Sequence, residues 1–247
     1  MSLREEAFDV LYKDLVHIRP ECTGLNVILC PICLREISRE DIVNNGVEHI
    51  IPQTVVKQDS QQKARLGSLN QRCGITVLCR APRKCKSNGK LYEEGCNGMK
   101  GSLYDRLWKK HWGNRPIDQK ELTHRHGVAI LIMAYLGAFQ IFGYEYILRN
   151  ELDEIREQFD FPDERKTEWA CDAKVDLRDI GDSIIATDMG HPFIFGGVTA
   201  DGYPLQLHFR RFIAKLPSGH WNTRTAVSSL ASIMPSMVGK EISTNKY

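Results

Sequence analysis

Apolar residues recur along the chain with two different spacings, and the spacings predict where helices and strands lie. The opening segment "MSLREEAFDVLYKDL" is charged and amphipathic. "GITVLC", ending at Cys79, reads as a strand, and in "CNGMKGSLYDRLWKKHW" the positions Met99, Leu103, Leu107 and Trp108 fall at helical spacing, which predicts a helix opening at Cys96. Between them "RAPRKCKSNGKLYEEG" is rich in Pro, Gly and Lys and reads as a loop. The run from Val128 to Ile147 is apolar apart from Gln140, Glu145 and two glycines. A membrane span needs about 20 apolar residues, and these interruptions come sooner, so the run predicts a buried helix that continues into "RNELDEIREQFDFPDE". From Ser183 onward the pattern turns to β. "TADGYP" carries an Asp-Gly turn signal between strand-like runs, and "LQLHFRRFI" alternates as one strand, with Leu205, Leu207, Phe209 and Arg211 on one face.

Helix-rich and strand-rich stretches in succession predict an α+β chain. Its 247 residues are enough for one large domain or two small ones, and we expect two parts, 1–115 and 116–247. Apolar content of 42% and charged content of 26% are those of an ordinary folded protein. The amphipathic start lacks the basic, apolar, small-residue succession of a secretory signal, which predicts a cytoplasmic protein without a membrane anchor. A net charge of +2 says little, but its distribution is uneven. Arg80 to Glu121 carries eleven Lys and Arg against five Asp and Glu, whereas Glu151 to Asp179 carries five against eleven. The basic excess suits a phosphate-binding surface, although such a run taken alone is more often a solvated face.

Six of the eight cysteines fall between Cys30 and Cys96. In a cytoplasmic chain thiolate ligation explains such clustering better than a disulfide framework. "CPIC", Cys30 to Cys33, has the two-residue gap of a zinc knuckle. Tetrahedral zinc needs two further ligands, for which Cys79 and Cys96 are favoured, with Cys85 as a substitute and a second ion on Cys73 and Cys85 left open.

Acidic Glu48 and His49 stand side by side in "EHIIP". A histidine near its ordinary pKa can deprotonate water, and hard oxygen ligands can hold a cation against a phosphate. On a regular strand adjacent side chains point to opposite faces, so serving one phosphate would require a bend here. Taken in order, CPIC, EHIIP, the strand to Cys79 and "CNGMKGS" resemble the HNH endonuclease family, the ββα-metal or His-Me finger nucleases, in the variant with two cysteine pairs. The resemblance covers about residues 28 to 110.

The resemblance implies a zinc-stabilised ββα-metal hairpin domain, followed here by a helical connector and a β-rich C-terminal domain. It makes His49 the general base, and Glu48 and Asn97 the ligands of a catalytic Mg²⁺ or Mn²⁺. The family's middle residue, an Asn that orients the base, falls on Gly74 here, so either Asn70 or a backbone carbonyl takes that part. Lys100, with Arg80, Arg83, Lys84 and Lys86, would supply phosphate contacts to nucleic acid, expected to be double-stranded DNA. A homodimer would cut both strands and a monomer would nick. Two other readings fit the same residues: a zinc-stabilised nucleic-acid-binding or adaptor protein that has lost catalysis, and a thiol protein whose cysteines respond to redox conditions.

Overall fold

The computed structural model describes residues 2–45, 47–57, 74–81, 83–87, 90–109, 123–149, 156, 159, 178–179, 194–196, 206–209 and 212–215. Helix α1, Leu3–Ile18, starts at a capping box in which Ser2 and Glu5 satisfy each other's backbone N–H groups. Its buried stripe is Ala7, Phe8, Leu11 and Leu15. Strands β1, Val27–Leu29, and β2, Glu36–Ser38, form an antiparallel pair around CPIC and lead into helix α2, Arg39–Asn45. Strand β3, Glu48–His49, pairs with β4, Ile75–Thr76, and helix α3, Gln53–Val56, follows β3 directly.

The basic segment expected as a loop is instead a hairpin. Strand β5, Arg83–Ser87, pairs with β6, Lys90–Glu94, and Ser87 lies opposite Lys90. Two residues, Asn88 and Gly89, separate that last pair, and Asn-Gly is the dipeptide that favours a tight hairpin turn.

The helix expected from Cys96 does start there, but it is not uniform. It runs as an α turn, Cys96–Met99, a π turn, Lys100–Asp105, and a second α turn, Arg106–Trp108; we call the whole the site helix. Met99, Leu103, Tyr104 and Trp108 are buried along it.

The long apolar run forms a helix, His124–Arg149, with a kink at Gly143, whose φ of 68° lies in the left-handed region. No helix among the described residues is long and apolar enough to cross a membrane. Six consecutive residues, Val128 to Met133, are buried, as befits a helix surrounded by protein on all sides. Their core is shared with Phe8, Leu11 and Leu15 of α1, Ile28 of β1, and Met99 and Trp108 of the site helix. The described core therefore includes residues on both sides of position 115.

Two tyrosines of the long helix reach backbone far from it in sequence. The Tyr144 hydroxyl donates to Leu29 O at 2.5 Å and accepts from Leu29 N at 2.9 Å, and the Tyr135 hydroxyl donates to Pro31 O within CPIC. At the kink, Asp14 Oδ2 accepts from Tyr144 N at 2.6 Å, and a Cβ at position 143 would collide with that carboxylate.

Toward the C-terminus the described strands form one antiparallel sheet in the order β7, Arg178–Asp179; β10, Phe212–Lys215; β9, Gln206–Phe209; β8, Ile194–Gly196. "LQLHFRRFI" was expected as one strand, but Phe209 pairs with Phe212 with two residues between them, so the run is two strands of a hairpin and its alternation is broken there.

Gly143→Ala adds both the positive-φ strain and the clash with Asp14, and should lower unfolding free energy by about 2 kcal/mol or more in denaturant titration. Tyr144→Phe leaves the Leu29 N–H and C=O without their partner and should cost about 1–3 kcal/mol in the same measurement.

Candidate functional site

Three of the four favoured ligands come together. The sulfur atoms of Cys30, Cys33 and Cys96 all lie within 4.8 Å of one another and could hold a metal ion. Local backbone makes this possible. A tight turn closes over CPIC, with Leu34 N donating to Cys30 O at 2.9 Å and Cys30 N donating to Arg35 O at 2.9 Å, and Leu34 accepts a φ of 56° to complete it. Cys96 enters from the other side as the first residue of the site helix. Gly95 precedes it because a Cβ there would sit 2.5 Å from the Arg80 carbonyl carbon, too close for any side chain.

Cys79 stands beside this cluster but outside that mutual distance. Its N–H donates to Cys30 Sγ at 3.4 Å, its carbonyl accepts from Asn97 N at 3.2 Å, and its thiol lies 4.0 Å from Ala81 O. Cys85 is opposite Tyr92 in the β5–β6 hairpin. Cys73 lies outside the described residues.

Crowding decides how these thiols hold protons. Burial pushes Cys30 up to about 12, and contacts with the other two thiols push Cys96 up. Contacts with Cys30 and Cys96 hold Cys33 well below the usual thiol range, and Arg35 adds to this by donating from Nε to Cys33 Sγ at 3.4 Å. The same guanidinium donates to Ala81 O at 2.8 Å, tying the first knuckle to the chain beyond Cys79. Cys22, Cys30, Cys33, Cys79 and Cys96 are free of disulfides. Soft thiolates in this compact set suit zinc, and they do not suit magnesium.

A second cluster begins one residue after Cys96. Asn97 Nδ2 donates to Glu48 Oε2 at 2.5 Å, joining residues 49 positions apart. His49 points its Nε2 to the Gln53 amide at 2.8 Å, so Gln53, at the start of α3, joins the set. Strand β3 is only two residues long and bends at Ile50 and Ile51. Glu48 and His49 are both half-buried there. Ile50 N donates to Gly74 O at 3.0 Å, which fastens the bend to the position where the family's middle residue was expected. Asn70 lies outside the described residues.

Lys100 departs most from expectation. It is fully buried at 0% exposure, not displayed for phosphate contact. Its ammonium donates to Asp105 Oδ2 at 2.7 Å, His49 O at 2.8 Å and Glu48 Oε1 at 3.4 Å. An ammonium placed among apolar residues is costly unless paired, and the cheapest partners are the carboxylates on either side. Arg80 is exposed, and Arg83, Lys84 and Lys86 belong to β5, whose side chains lie outside the described set.

Sequence reasoning missed Gln53 and Asp105. In an α-helix residues five apart point about 140° away from each other, so the spacing of Lys100 and Asp105 gave no signal. The π turn over Lys100–Asp105 changes the geometry and lets the pair meet. Burial pushes the Asp105 carboxyl up to about 6 against the pull of Lys100, with Glu48 adding to the rise.

No family model, no curated protein and no solved structure matches this chain.

Cys33→Ser and Cys96→Ser should each reduce bound metal per chain in elemental analysis, whereas Cys22→Ser, outside the cluster, should retain it. A folded pKa raised from 3.8 to about 6 means that the stability Asp105 contributes is full at low pH and lost as pH rises through the folded value. Wild-type stability measured relative to Asp105→Asn should therefore decline between about pH 4 and about pH 6.

Proposed function

We propose that this chain is a metal-dependent HNH-type endonuclease that hydrolyses phosphodiester bonds in double-stranded DNA. The observation that carries the reading is the contact of Asn97 with Glu48. It joins the acidic half of "EHIIP" to the residue after Cys96, the two positions where that family keeps its ion ligands. In this reading Cys30, Cys33, Cys96 and Cys79 hold a structural zinc. Cys79 would complete the tetrahedron by a small movement of its thiol, since its backbone already borders the cluster.

Mg²⁺ or Mn²⁺ bound at Glu48 and Asn97 would supply charge neutralisation at the scissile phosphate and the leaving oxygen. The residues fit such an ion by donor chemistry: a carboxylate and an amide side chain are already in contact, and rotation of the Asn97 amide presents its oxygen in place of its nitrogen. His49 is the general base. With the Gln53 amide turned to offer its oxygen, the proton resides on Nε2 and the basic lone pair on Nδ1, which removes a proton from the attacking water. The β5–β6 hairpin, with Arg83, Lys84 and Lys86, and the exposed Arg80 would meet the DNA backbone. The protein would act in the cytoplasm, as a nicking monomer or as a homodimer that cuts both strands.

One observation favours a second reading. Glu48 already has two partners, Asn97 and Lys100, as it would in a binding protein whose old ion site has closed on itself.

Supercoiled plasmid incubated with the purified protein and Mg²⁺ or Mn²⁺ separates the two. The nuclease reading expects nicked or linear product from wild type, and at least about 100-fold less from Glu48→Ala or His49→Ala with equal zinc content. Absence of product from wild type, with DNA binding retained, would establish the binding protein instead.

A further inference from the structure

Two carboxylates share one buried ammonium beneath the candidate ion site, and they share it unequally. Lys100 has three N–H donors, and the structure gives all three a partner. Asp105 holds the ammonium at 2.7 Å, while Glu48 receives it at 3.4 Å, beyond a good charged hydrogen bond. The side chain has no exposure through which water could compete, so the division of this cation is settled among its three partners.

The π turn is what allows Asp105 to take the larger share. It carries Asp105 under Lys100 at a spacing of five residues, which an α turn would have turned aside. The other oxygen of the same carboxylate, Asp105 Oδ1, is buried with no hydrogen-bond partner among the described residues. A carboxylate kept in so poorly satisfied a place, by an uncommon turn, is hard to explain as local stabilisation alone.

We infer that Asp105 is a positioning residue that holds the Lys100 ammonium back from Glu48 and so leaves the Glu48 carboxylate available to a divalent cation. This rests on the reading of Glu48 as an ion ligand. A cation and an ammonium compete for the same carboxylate, and Asp105 weights the competition toward the cation. Lys100 meanwhile anchors the strand through His49 O, so the arrangement steadies the base and releases the ligand with one side chain.

The test is Mn²⁺ binding to the zinc-loaded full chain at pH 8, read from the electron paramagnetic resonance signal of free Mn²⁺. Wild type should bind, and Glu48→Gln should lose that binding. Asp105→Asn leaves Lys100 with Glu48 as its sole carboxylate, and should weaken binding by about tenfold or more, the scale of one unit charge acting across a few ångströms of protein. Asp105→Asn combined with Lys100→Met removes one charge of each sign and should bind Mn²⁺ at least as tightly as wild type; a purely structural role for Asp105 would not be relieved by losing the lysine. The double variant also decides the matter if the single variant does not fold. Wild-type affinity in Asp105→Asn, or weaker binding than wild type in the double variant, would overturn the positioning role while Glu48 kept its place as a ligand. Mn²⁺ binding unaffected by Glu48→Gln, or absent from wild type, would overturn the positioning role and the ion site together.

Discussion

The meeting of Cys96 with the Cys30–Cys33 turn is the contact on which the rest of the described structure depends. It fixes where the site helix begins, and a helix start fixes every side chain in the turn that follows. Asn97 and Lys100, one and four residues further, then fall on Glu48 without any separate device to bring them there. Pairing of β3 with β4 sets the other half of the geometry, because it determines the height at which Glu48 and His49 meet the helix. Three thiols crowded together, two of them buried, are unfavourable as thiols, since burial and mutual contact displace their proton affinities in opposite directions. A soft dication would relieve that crowding, and its binding free energy would then appear as folding free energy.

The long helix acts as the frame behind this contact. Its apolar faces join α1, the first knuckle and the site helix into one core. Its two tyrosine hydroxyls hold the backbone at Leu29 and Pro31, so the strand and turn that present Cys30 are braced from behind. The kink at Gly143 lets the helix pass Asp14 and still deliver Tyr144 to β1. Packing therefore supports the same few residues whose thiols could hold a metal ion.

What was legible in the sequence was what has a short period or a short spacing. CPIC, the pair Glu48 and His49, and the start of a helix at Cys96 are local patterns, and their spacing survives folding. The buried character of the long run was also legible, because continuous apolar residues have nowhere else to go. Its partners were not, since the pattern says that a helix is covered but not by what. Lys100 was misread because lysine is almost always solvated; its burial follows from carboxylates brought from position 48 by the sheet and from position 105 by a π turn. The hairpin in the basic segment was missed although Asn88-Gly89 signalled it, because the surrounding Lys and Pro residues outweighed that signal. The division of "LQLHFRRFI" into β9 and β10 lacks any such marker, as two arginines can continue a strand as readily as end it.

Gly95 resting on the backbone of Arg80 gives the basic hairpin a particular independence. The chain leaves the knuckle after Ala81 and returns at Gly95, and the two ends are pinned together by that close approach and by the hydrogen bond from Asn97 N to Cys79 O. Whatever lies between them is a closed excursion. Lengthening such an excursion costs little, because the closure entropy grows only with the logarithm of its length. The hairpin can therefore be extended, trimmed or exchanged without shifting Cys79, Cys96 or Asn97, which makes it the part of the molecule where a lineage could alter what the protein touches while leaving the apparatus behind it in place.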